Sequence, residues 1–180
     1  LHQSEHKAKS VLPFQEIMDW NFSAMINYGY KDYREVVPPA SVPKLVFRGF
    51  KKACHFEYKF DSRTELDFSF VLENDDNVLK WLRPAPNQFR MYWDNNSKKY
   101  EPDFVVETAD AIYMVETKAE NELKNPDVME KSIAGINYCK NATEYTSQNE
   151  GKSWHYLLIP HTAVSKTVSF NFLIANYRKI

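Results

Sequence analysis

Cysteine is nearly missing from this chain of 180 residues: only Cys54 and Cys139 are present. Two cysteines so far apart exclude a disulfide framework and a spaced zinc motif, and both are read as free thiols. No apolar run approaches the roughly 20 residues that a membrane-spanning helix needs, and nothing resembles a signal peptide. The expectation is a cytoplasmic protein with no membrane partner. Nor is there an excess of basic residues. At a formal net charge of −1 the chain lacks the balance of an autonomous nucleic-acid binder, so any phosphate contact has to come from local patches or from another domain. A Gly-rich phosphate-cradling loop with its lysine is absent too. The five histidines have no metal-ligand spacing, and no serine, histidine and aspartate set points to acyl transfer. The chain begins at Leu1 rather than at Met, which leads us to expect a piece of a longer polypeptide.

What remains is enough for one domain with a real core, since 43% of the residues are hydrophobic. Core packing is the expected use of most of the 11 Tyr and 12 Phe, although some aromatic rings would suit base stacking. Residues 1–43 end in VVPPASVP, where Pro38, Pro39 and Pro43 forbid a continuous helix. We read them as an arm or linker before a domain spanning 44–180. KLVF and CHFEYKF alternate as short strands. DSRTELDFSFVLEN has helical spacing, its start marked by Ser62. QFRMYW alternates Phe89, Met91 and Trp93 into a DNNS turn, the pattern of a strand entering a hairpin. In NPDVMEKSIAGINYCKNATEY, Asn125 caps, Pro126 suits the first helical position, and Met129, Ile133 and Ile136 recur at helical spacing. WHYLLIP reads as a strand buried on both faces and FNFLIANYR as a closing helix. The order helix, strands, helix, strand points to an α/β fold with a mixed central sheet flanked by helices.

Chemistry concentrates in EPDFVVETADAIYMVETKA, residues 101–119. Two apolar runs this close are most cheaply joined as an antiparallel hairpin turning at Ala109 and Asp110. That register pairs Phe104 with Val115 and Val106 with Tyr113, and sets Asp103 opposite Glu116. Opposed side chains share a face with Cβ atoms about 4.5 to 5.5 Å apart, and Lys118 emerges on the same face. Two carboxylates this close repel, and one takes up a proton unless a cation sits between them. Magnesium, a hard ion that favours oxygen ligands, removes that conflict, and Mn²⁺ is an alternative. A bound metal acidifies water and stabilises charge developing on a phosphodiester, and a nearby lysine orients that water or neutralises phosphate. The competing reading of the three residues is a solvated cross-strand charge cluster.

Pro102, Asp103, Glu116, Thr117 and Lys118 match the PD-(D/E)xK nuclease motif. FDSRTELDFSFVLENDDNVLKWLRP, YEPDFVV, MVETKAE and DVMEKSIAGINYC, spanning residues 60–140, resemble successive blocks of the C-terminal endonuclease domain of type III restriction enzymes. The resemblance implies a restriction-endonuclease-like core and Mg²⁺-dependent hydrolysis of double-stranded DNA. It implies that Asp103 and Glu116 hold the metal, that Lys118 assists catalysis, and that Glu65 on the preceding helix completes the site. It also implies an ATP-driven motor domain on the full-length chain and a modification methyltransferase subunit as partner. A missing phosphate loop fits a domain separated from that motor. Ala119 stands where the family often has glycine, which leaves the implied ligands intact. Two residues keep a plainer alternative. S-R-T-E from Ser62 is also a capping box in which Glu65 serves only the helix start, with Glu73 a weaker substitute ligand. Lys131 is either a DNA phosphate contact or a solvated helical lysine. The motif is equally compatible with a nuclease domain from a DNA repair or mobile-element protein. A catalytically silent DNA-binding or assembly module of the same fold is the non-enzymatic alternative, which intact Asp, Glu and Lys disfavour.

Overall fold

The computed structural model describes residues 28–93 and 98–180. Its centre is a five-stranded mixed sheet in the order β10-β9-β8-β7-β4. Strands β7 (Phe104–Thr108) and β8 (Ala111–Lys118) form the expected antiparallel hairpin, with Phe104 opposite Val115 and Val106 opposite Tyr113. β9 (Ser153–Pro160) runs parallel to β8, whereas β4 (Val78–Leu82) and β10 (Arg178–Lys179) are antiparallel edge strands.

Alternation along these strands divides the core into two layers. Phe104, Val106, Val115, Leu157 and Ile159 face helix α1 (Arg63–Asn74) through Leu66, Phe68 and Leu72, and helix α3 (Phe170–Tyr177) through Phe170 and Leu173. Phe68 meets Phe104 edge to face, with ring centroids 5.0 Å apart. Val105, Met114, Tyr156 and Leu158 face helix α2 (Pro126–Ser147) through Val128, Cys139 and Ala142. On that side they also meet a hairpin of β5 (Met91–Trp93) and β6 (Lys98–Tyr100). The domain is therefore mixed α/β, with helices on both faces of the sheet.

Helix starts follow the sequence. Ser62 Oγ accepts from the backbone N–H of Glu65 at 3.2 Å, and Asn125 Oδ1 from that of Asp127 at 2.9 Å, so each satisfies one of the donors that a first turn leaves over.

Three features differ from the sequence reading. Of the expected arm, residues 1–27 lie outside the described residues, but β1 (Tyr30–Asp32) pairs in parallel with β2 (Val46–Arg48), which pairs with β3 (Glu57–Tyr58). Tyr33, Val37 and Val42 enter the same core as α1. The prolines forbid a long helix, as argued, yet the segment between β1 and β2 packs down through its apolar residues, so position 43 is no break in packing. Second, α2 buries a different face from the one its large apolar residues suggest. Met129 and Ile133 are exposed, and the buried positions are Val128, Ser132, Gly135, Cys139 and Ala142. Small residues let the helix lie close over the bulky Trp154 and Tyr156. A Cβ on Gly135 would stand 2.5 Å from Tyr156 Cε2. Third, β4 has no clear strand pattern in the sequence. Exposed Leu79 and Lys80 interrupt its apolar residues at the edge, where the ladder also shifts register between Val78 and Lys80. The DNNS turn lies outside the described residues.

Candidate active site

Asp103 stands one step before β7, where continuing the register sets it against Glu116. Its Oδ2 accepts from the backbone N–H of Thr117 at 2.8 Å and from Thr117 Oγ1 at 2.9 Å, closing the open end of the hairpin. Both bonds use one oxygen, which leaves Oδ1 uncommitted among the described residues.

Glu116 is near the end of the central strand β8 and only 4% exposed. Its Oε1 pairs with Lys118 Nζ at 2.8 Å, two residues along on the same face, and its Oε2 accepts from Tyr100 Oη at 2.9 Å. Burial pushes the Glu116 carboxyl up to about 7 and the Asp103 charge adds to this, against the opposing pull of Lys118 and Tyr100. Burial works against the Lys118 charge, but Glu116 and Asp103 hold the ammonium above its ordinary value. The sequence thus places two carboxylates and an amine together, and the fold makes one carboxylate poised between its two charge states.

Glu65 comes to this group from α1. Its Oε2 accepts from the backbone N–H of Asp61 at 2.7 Å, one residue before the cap, and lies 3.1 Å from an Arg83 guanidinium nitrogen. Burial raises its carboxyl to about 7; Arg83 opposes this and Asp103 adds to it. A capping role and electrostatic coupling to the hairpin site coexist in one residue. Glu73 belongs elsewhere. It accepts from the backbone N–H groups of Lys51 and Lys52 and from Trp81 Nε1, at 2.7 to 2.9 Å, and pins β4 to the turn after β2. Lys131 stands near the start of α2, partly exposed beside buried Ser132, on the helix that covers the Glu116 face of the sheet.

Two residues escaped the sequence reading. Tyr100 reaches Glu116 across 16 positions. Arg83 links Asp61, at 2.7 Å, and Glu65, and lies over the Phe60 and Phe104 rings. The only signal for either was position: Arg83 follows the last residue of β4 and precedes Pro84, and Tyr100 closes β6 two residues before Pro102.

Among the described residues no group of three His, Cys, Asp or Glu side chains forms a ready metal cage. The donors still suit a hard cation, being carboxylate oxygens of which Asp103 Oδ1 is uncommitted and Glu116 is strained by a neighbouring charge that a cation would neutralise. No protein-family model matches the chain, and no curated protein is significantly similar to it. Among the described residues no helix is long and apolar enough to cross a membrane.

Proposed function

We propose that this chain is a Mg²⁺-dependent DNA endonuclease domain of the PD-(D/E)xK kind with a restriction-endonuclease-like core. The observation that carries the reading is the placing of Asp103 and Glu116 at one end of the β7–β8 hairpin, with Lys118 Nζ 2.8 Å from Glu116 Oε1. Asp103 and Glu116 would hold Mg²⁺, or Mn²⁺, with Glu65 as a further acidic donor. When bound, the ion supplies a Lewis acid and an acidified water for hydrolysis of a phosphodiester.

The protein's own groups do the rest. Lys118 keeps its proton because of the carboxylates around it, so its ammonium is a fixed donor for a phosphate oxygen or for the attacking water. Thr117 holds Asp103 from two directions and fixes one oxygen while the other stays available. Lys131 is assigned to the DNA backbone. The resemblance to type III restriction enzymes supports a setting in which an ATP-driven motor on the same polypeptide delivers cytoplasmic double-stranded DNA and a modification methyltransferase supplies sequence recognition. A near-neutral charge fits a cutting domain that does not capture DNA unaided.

The test is nicking of supercoiled plasmid by the purified chain in Mg²⁺, in EDTA, and with D103N and K118M. Cleavage is expected only with the metal. D103N should lose both cleavage and metal binding, whereas K118M should lose cleavage and keep metal binding. Parent-rate cleavage by D103N, or cleavage in EDTA, contradicts the reading.

A further inference from the structure

We infer that Tyr100 is a positioning residue for Glu116, itself held by Tyr156, and that this pair of phenols directs Glu116 Oε1 toward the cation. The inference deepens the reading of Asp103 and Glu116 as ligands and rests on it.

Glutamate has three side-chain torsions, so a carboxylate meant for a cation needs something to stop it turning. Glu116 has one anchor on each oxygen. Lys118 Nζ lies against Oε1, and the Lys118 side chain is 25% exposed. Tyr100 Oη lies against Oε2 on the buried side, 4% of Tyr100 being exposed. An ionised carboxylate only accepts, so Tyr100 has to donate to it. Tyr100 Oη is also 3.3 Å from Tyr156 Oη, and with its own proton committed it accepts there. The relay therefore runs one way, from Tyr156 to Tyr100 to Glu116.

Each member is fixed by a different element. Tyr100 pairs with Met91 across the β5–β6 hairpin, and only Glu101 and Pro102 separate it from Asp103, so the hairpin and the first ligand form one short stretch. Tyr156 sits in β9 next to Glu116's strand, and its ring occupies the space that Gly135 of α2 leaves open. That gives the hairpin and the glycine of α2 a shared task.

The test uses the whole chain and Mn²⁺ alone, with affinity read by calorimetry for the parent, Y100F, Y156F and the double variant. Each substitution removes one hydroxyl and keeps the ring, and near-ultraviolet dichroism checks that the core is intact. Y100F should bind Mn²⁺ about tenfold more weakly or worse, as removal of a group that orients a ligand does. Y156F should lose less, and adding it to Y100F should cost nothing further because it acts only through Tyr100. A purely structural tyrosine would change melting and leave affinity alone. Parent-like affinity in folded Y100F overturns the inference, as do additive losses in the double variant. If Y100F fails to fold, parent-like affinity in Y156F overturns the relay. No Mn²⁺ binding by the parent overturns the ligand reading itself and this inference with it.

Discussion

Glu116 lies in a central strand of the sheet, where an ionised carboxylate has lost its water and faces a second one. Its titration in the folded chain lies near 7, against about 4.3 for an unperturbed glutamate. Because the folded value is the higher one, the stability linked to this group is fully present below about pH 4.3 and is lost as pH rises through about 7. Replacing Glu116 with glutamine removes that loss, and Lys118 retains Asp103 as a counter-charge. In EDTA, E116Q should therefore gain stability relative to the parent between pH 5 and pH 8, by on the order of 2 kcal/mol. Burial of His55 and His155 works in the opposite sense on absolute stability but cancels in this difference. Chemical denaturation at the two pH values measures it, and a gap that does not change with pH contradicts the assignment. At this scale, Asp103, Glu116 and Lys118 were legible because a hairpin register is a local matter, fixed by alternation and turn length. Tyr100 and Arg83 were not, because their contacts depend on how β6 and β4 are placed in three dimensions, which no spacing in the chain specifies.

Among the elements, α2 shows where pattern and packing part. Its start was readable from Asn125 and Pro126, whose effects are local. Its buried face was not readable from Met129 and Ile133, because a helix that approaches a sheet closely needs small residues at the contact and leaves larger ones outside. Gly135 is the tightest point, and Tyr156 beneath it is 1% exposed and has nowhere to turn. G135A should destabilise the fold by about 1–3 kcal/mol, despite the roughly 1 kcal/mol that alanine gains over glycine in a helix. Urea unfolding would show it. A variant as stable as the parent would mean that α2 does not ride on Tyr156 as described. The opposite case is α1, where the Ser62 cap agrees with the structure and the helix meets the sheet through the large side chains of Leu66, Phe68 and Leu72.

For the whole molecule, the mixed sheet with helices on both faces followed from the order of elements, but the boundary at residue 43 did not. A run of prolines marks where helix is impossible; it does not say whether the extended chain packs, and here Tyr33, Val37 and Val42 do. The layers meet at one end of the central hairpin. There β8 supplies Glu116 and Lys118, the start of β7 supplies Asp103, α1 supplies Glu65, and the β5–β6 hairpin supplies Tyr100. The central claim is that this meeting point holds a divalent cation. The most direct measurement is the anomalous difference map of a crystal soaked in Mn²⁺. The account predicts a peak within about 2.0–2.3 Å of carboxylate oxygens from both Asp103 and Glu116, with the Glu116 contact made by Oε1. A well-diffracting crystal with no peak there, or with Mn²⁺ bound only at other residues, would contradict it.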